Sequence, residues 1–251
     1  MNRRLLQPMS VGLVIVLMPL INGMLSMRET ELRAPYDHFE LALSNYLPLL
    51  FPLLASLLYA PRVALEIAHN FSSPAQARLG RRRYVLGHVT QAAAWGFAVF
   101  ATSILVTWIY TMYVAPHAGT LYVPQGDSLD PSSRTTFGQL MHVSPVAYVA
   151  FYATWVGLHG ALYSVAAAIC VYLIGQRVVA LATPMVVVFV ADFALAVLGL
   201  ERFTLTGAPF PGNMDQGPMW APLITTCLIV CVIASATRRS LRTDIIPAGF
   251  A

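Results

Sequence analysis

An all-α integral membrane protein with six transmembrane helices is the fold class this sequence predicts, on three observations. Of 251 residues, 57% are hydrophobic and 10% charged, whereas a soluble domain carries about 25% charged residues. Mean hydropathy is +0.66, so there is too little charge to coat a globule in water. Long charge-free runs recur along the chain, each able to cross a hydrocarbon core of about 30 Å as a helix. The basic residues, all fifteen of them arginine, sort to alternate ends of those runs.

The spans follow in order. Residues 5–27, 41–61 and 216–237 contain no Asp, Glu, Lys or Arg, which places helices at about 8–27, 44–62 and 219–237. Residues 84–126 are uncharged, and their apolar part predicts a helix over about 89–114 before a loop containing Pro and Gly. Residues 135–176 are likewise uncharged and predict a helix over about 146–174. The stretch 178–200, fifth in chain order, completes the six, with the acid Asp192 inside it. Runs this long without alternation are not barrel strands, and lipid leaves helices as the remaining way to satisfy the backbone. Arg3 and Arg4 precede the first run, but no small-residue cleavage site follows it, so it reads as a retained helix. All of 1–251 reads as one transmembrane domain.

Orientation comes from the arginines. With the N-terminus in the cytoplasm, eleven arginines fall in inner segments and four (Arg28, Arg33, Arg134, Arg202) in outer ones. Eight of the acids fall outside, against Glu66 and Asp244 inside. That asymmetry over short loops predicts both termini on the cytoplasmic side. The outer segments are 28–45, 115–145 and 201–218; the last is rich in Pro and Gly, a composition suited to partial re-entry into the membrane. Cys170, Cys227 and Cys231 fall within predicted spans and read as small apolar residues, with no disulfide or metal expected.

Several chemistries are excluded. Without lysine the chain has no phosphate-binding P-loop and no Schiff-base or Ser–Lys site. There is no HExxH pair, and Gly157-Leu158-His159-Gly160 is no serine-nucleophile turn. Nothing favours an enzyme or nucleic-acid binding.

One cytoplasmic segment stands out: residues 62–88, RVALEIAHNFSSPAQARLGRRRYVLGH, with a helix-compatible start around Glu66, a breaker cluster at Ser72-Ser73-Pro74 and the Arg81-Arg82-Arg83 run. That run reads as topogenic charge in contact with lipid headgroups and equally as a docking surface. Together with LPLLFPLLASLLYAP before it, FGQLMHVSPVAY ahead of the fourth span and LATPMVVVF in the fifth, it resembles the permease subunits of type-two ABC transporters, a mainly exporting family of the bacterial cell membrane. The resemblance implies a cytoplasmic coupling segment between helices 2 and 3, with Glu66, Arg78, Arg81, Arg82, Arg83 and Tyr84 in the coupling positions. It further implies two separate ATPase subunits carrying ATP and Mg, and a second permease subunit, identical or related, enclosing the path. The chain itself would hold no cofactor. Many members have an amphipathic helix before the first span, whereas only about seven residues precede it here. The 62–88 segment is therefore the main ATPase contact expected.

A second reading comes from the membrane interior. His159 lies 17 residues before Gln176 and Asp192 lies 16 after it. On antiparallel helices rising about 1.5 Å per residue they reach similar depth, which predicts a His159–Asp192 pair. Intramembrane ionisable groups of this kind are functional candidates by default. That pair would suit a secondary transporter or channel not driven by ATP, or would serve packing alone. Ala153, Gly157 and Ala161 on the fourth span, four apart, permit a close helix neighbour.

Overall fold

The computed structural model describes residues 3–26, 32–69, 72–122, 137–174, 176–210 and 220–242. All regular structure among them is helical: α1 (Arg3–Ser26), α2 (Pro35–Leu43), α3 (Leu47–Ala68), α4 (Ser72–Leu79), α5 (Arg81–Ile109), α6 (Ala115–His117), α7 (Gln139–Val143), α8 (Pro145–Leu173), α9 (Arg177–Val197) and α10 (Trp220–Arg242). A π-helical turn, Tyr110–Val114, joins α5 to α6, and a 3₁₀ turn covers Glu201–Phe203. Among the described residues, six helices are long and apolar enough to cross a membrane. They match the six expected spans, with ends that differ in an informative way.

The second span does not stop at Arg62. α3 runs on to Ala68, because Ala64, Leu65, Glu66 and Ala68 are good helix formers and Arg62 pairs with Glu66 one turn on. The third starts at Arg81 rather than about 89 and continues through the π turn to His117, 37 residues in all. The last extends to Arg242. Helix propagation follows backbone chemistry and does not halt where charge begins, so most of the expected 62–88 loop is helix. What divides it is Gly80, whose φ of 76° suits a glycine closing α4, with its N–H bonded to Gln76 O at 2.9 Å. Ser72-Ser73-Pro74 opens α4, with proline tolerated in the first turn.

Charge separates the two ends of the bundle. Arg62, Glu66, the Arg81–Arg83 run and Arg238–Arg242 lie at what is here termed the basic end. The opposite, acidic end holds α2, the α7–α8 start and the 201–210 segment. α2 is absent from the sequence-based scheme. Asp37 accepts from Ala34 N at 3.2 Å at its start. Buried Asn22 of α1 donates to Leu41, Ala42 and Ser44 carbonyls at 3.0–3.3 Å at its end, occupying acceptors that a helix C-terminus leaves open.

α8 is the central post: 67% of its most apolar stretch is buried, against 17% for α9. Its closest neighbour is α5, and the reason is two glycines. A Cβ on Gly96 would strike the Gly160 carbonyl and come within 2.7 Å of Ser164 Oγ; one on Gly160 would strike the Phe100 ring. Gly157 also faces α5, within 3.0 Å of Phe97 O by the same construction. The expected close approach on this helix is present at Gly157, but it centres on Gly160, which the four-residue spacing leaves out. Ser164 Oγ then bonds Ala55 O of α3 at 2.9 Å, so three helices meet around one glycine contact. Apolar clusters lie to either side: Phe51, Phe100, Tyr163 and Phe210 toward the acidic end, Tyr59, Tyr84, Ile169 and Tyr172 toward the basic end.

Two predictions follow from this packing. Gly96→Leu should cost about 1–3 kcal/mol through forced separation of α5 and α8, read as a lowered thermal midpoint of the purified protein in detergent. Gly87→Leu, where nothing lies within 4 Å, should change it little. The second concerns His38, which is 1% exposed, with neither ring nitrogen bonded among the described residues. It lies against the Tyr110 ring, centroids 5.9 Å apart. Burial lowers its pKa from 6.5, so the unfolded chain takes a proton before the folded one does. Its contribution is therefore complete above about pH 6.5 and is lost as pH falls through the window below. The thermal midpoint should drop on acidification, and His38→Phe should flatten that part of the pH profile.

Candidate functional site

The strongest polar cluster among the described residues sits where α3 ends and α5 begins. Tyr59, Arg62 and Glu66 are three and four apart, hence on one flank of α3; Tyr84, His88 and Gln91 occupy the facing flank of α5 at similar spacing. Arg62 Nε lies 3.1 Å from Glu66 Oε1. His88 Nε2 lies 3.3 Å from Glu66 Oε2, and the Tyr84 hydroxyl donates to the same oxygen at 3.5 Å. On its other side His88 Nδ1 is 2.9 Å from the Tyr59 hydroxyl, which donates to Gln91 Oε1 at 2.5 Å. Rings close the cluster: Tyr84 meets His88 edge-on at 4.6 Å and Tyr172 of α8 at 6.5 Å, while the Arg62 guanidinium lies 5.7 Å above Tyr59.

Donor counting fixes the form of this chain. Tyr59 gives its proton to the Gln91 amide oxygen, and its own oxygen meets the His88 ring at Nδ1. The Glu66 carboxylate only accepts, so His88 Nε2 must bring a hydrogen. His88 thus bridges a carboxylate and a phenol, at a side chain only 10% exposed. Charge-assisted bonds are about twice as strong as neutral ones. The basic ends of α3 and α5 are thus clasped together and carried against α8.

Of the six coupling positions expected from sequence, Glu66 and Tyr84 meet here. Arg81 turns away: its Nη2 donates to Ser240 O at 3.0 Å, fastening α5 to the end of α10. Arg78, Arg82 and Arg83 are exposed on α4 and the first turn of α5. Sequence reading missed Tyr59, Arg62, His88 and Gln91 as members of the cluster. Their helical spacing was the available signal, hidden by ending one span at 62 and starting the next at 89.

The expected His159–Asp192 pair does not form. His159 is fully buried, with Nδ1 3.0 Å from Trp155 O on its own helix and Nε2 3.1 Å from Thr226 Oγ1 of α10. Asp192 accepts from Leu205 N, from Thr206 N at 3.0 Å and from Thr206 Oγ1 at 2.6 Å. Equal depth put the two groups at one level, but depth does not choose a face: one points to α10, the other to the 201–210 segment. Asp192 works as a clamp on that segment. Trp155 Nε1 donates to Ala208 O at 2.8 Å, the Tyr163 hydroxyl to Leu205 O at 3.2 Å, and Phe210 packs on Phe51 at 5.3 Å. The Pro/Gly-rich segment is therefore tucked among α8, α9 and α10 as far as Phe210, while 211–219 lie outside the described residues.

No protein-family model, curated protein or solved structure matches the chain.

Glu66 and His88 should prove energetically coupled. In a double-mutant cycle with Glu66→Gln and His88→Leu, unfolding in detergent should give a coupling of about 1 kcal/mol. The cycle of Glu66→Gln with Arg78→Gln, whose side chain is exposed, should give none.

Proposed function

We propose that this chain is the membrane-spanning subunit of an ATP-driven exporter in a bacterial cell membrane. It works with a second permease subunit and two separate ATPase subunits that bind ATP and Mg. The observation that carries this reading is α4. It is a short helix with exposed Arg78 between two spans, entered and left through the clasped ends of α3 and α5. A force applied to α4 reaches a charged cluster fixed to α8 rather than a slack loop. Transmission from a cytoplasmic motor to a membrane path needs such stiffness.

In this reading the basic end, with both termini, faces the cytoplasm. Arg78, Arg82 and Arg83 meet the ATPase, while Glu66 and Tyr84 act one step behind, holding the segment in position. α1, α9 and α10 bury little of their apolar length inside the chain, and their outer faces supply surface for lipid and for the second permease subunit. The clamped 201–210 segment lies at the far end of the path. A transporter or channel built on His159 and Asp192 has no such support, because His159 is spent on α10 and Asp192 on the 201–210 segment.

The test is recovery of the motor. Affinity purification of the tagged chain from its native membrane should bring down an ATPase whose hydrolysis is measurable. An Arg82→Glu/Arg83→Glu variant should recover at least about tenfold less, since losing paired interfacial charges costs several kcal/mol. A wild-type preparation free of ATPase would end the exporter reading.

A further inference from the structure

At the acidic end, α2 is held at three places that differ in kind. Its last turn is fixed by Asn22 and leads into α3 through Ser44-Asn45-Tyr46, where Asn45 takes a φ of 63°. Asparagine tolerates this left-handed conformation, so the chain can reverse sharply there. Its start is tied by the Tyr36 hydroxyl, 3.0 Å from that of Tyr148 on α8. Between these two ties His38 sits where α2 packs against α1 and the π turn. A Cβ on Gly23 of α1 would come within 3.1 Å of both Ala42 Cβ and His38 Nε2, and the Tyr110 ring stands at 76° to the imidazole. The seat is tight, and among the described residues it offers neither ring nitrogen a partner.

We propose that α2 is an acid-released latch: protonation of His38 drives the ring out of this seat, and α2 swings away from α1 and the π turn on the 44–46 connection. A buried neutral ring without partners is costly, but a buried unpaired cation is far costlier. No described group is placed to receive that charge. Over 22–26 α1 carries no ionisable side chain. The π turn presents Tyr110, with Tyr122 near it, and neither brings a carboxylate. On α2 itself Asp37 spends its carboxylate on Arg33 N and Ala34 N, while Glu40 is close enough to Tyr152 of α8 to act on it. His38 is also the fourth residue of α2, at the positive end of the helix dipole, which opposes a cation. Burial already holds its pKa below 6.5. The neutral, seated form therefore prevails above that pH, and the latch releases as pH falls below it. The Gly96–Gly160 contact lies about 20 Å along α5 from the π turn, so α2 can leave without disturbing the centre. The latch depends on the acidic end alone and not on an ATPase.

Hydrogen–deuterium exchange of the purified full-length chain in detergent tests this from about pH 8 to about pH 5, a range that spares ordinary carboxylates. Uptake is read by mass spectrometry and corrected for the intrinsic pH dependence of amide exchange. Exchange over 35–43 should rise at least about fivefold, with its midpoint below about pH 6.5, while 96–107 of α5 and the middle of α8 stay protected. His38→Phe and His38→Leu should each leave α2 flat across the range. Glu29 and Glu31 precede α2 and lie outside the described residues; Glu29→Gln/Glu31→Gln should leave the wild-type rise unchanged. A flat wild-type profile would overturn the latch even if neither His38 variant folds. So would a rise shared by α5 and α8, which marks general unfolding, or a rise that persists without His38. Loss of the rise in the double glutamine variant would overturn it too, by assigning the titration to those acids.

Discussion

Everything in this bundle is arranged around the contact of α5 with α8 at Gly96 and Gly160. Inside a bilayer, helices gain nothing by hiding apolar side chains from lipid, which is equally apolar; they gain by fitting closely and by satisfying polar groups. Two facing glycines bring the backbones together, and Ser164 beside them reaches α3. Once these three helices are set, α1 packs on α5, α9 on α3 and α8, and α10 on α8. The two aromatic clusters occupy the spaces that diverge on either side of the contact. Peripheral helices can then remain largely uncovered without loosening the centre.

The same solvent explains how polar groups are used. Thr107, Thr226 and Ser56 return their hydroxyls to carbonyls four residues back, a local solution that needs no partner helix. Groups with more capacity work across elements: Asn22 closes the end of α2, His159 joins α8 to α10, and Asp192 fastens the 201–210 segment. Each of these looks like a functional group when read in isolation. In place, each secures a piece of irregular or terminal backbone that lipid could not satisfy. The Glu66–His88–Tyr59 cluster differs from them. It joins two helix ends that flank a short exposed helix, and it concentrates opposite charges where the membrane meets water.

Sequence reading recovered the six spans because composition alone decides what can cross a bilayer. Their ends were less legible, since charge marks where the membrane stops and not where the helix stops. That single distinction hid the 59–66 and 84–91 flanks, and with them His88. The depth argument for His159 and Asp192 failed for a related reason: rise per residue is fixed, but rotation about the axis depends on neighbours that no linear count supplies. α2 escaped notice because its stability comes from Asn22, twenty residues away in sequence. The outer Pro/Gly segment was legible in part, as its composition signalled backbone that must be buried against something.

α5 is one continuous helix from Arg81 to Ile109 with no proline inside it, whereas α1 and α3 each contain two and α9 one. Its glycine contact falls near the middle, with about 22 Å of helix on the basic side and about 20 Å on the other. A rigid rod pivoting at that contact would act as a balanced seesaw. A tilt of about 5° at Gly96 carries the Arg81 end about 2 Å one way and the Ile109 end about as far the other. Small strokes at one membrane face would then arrive at the opposite face undiminished and reversed in direction.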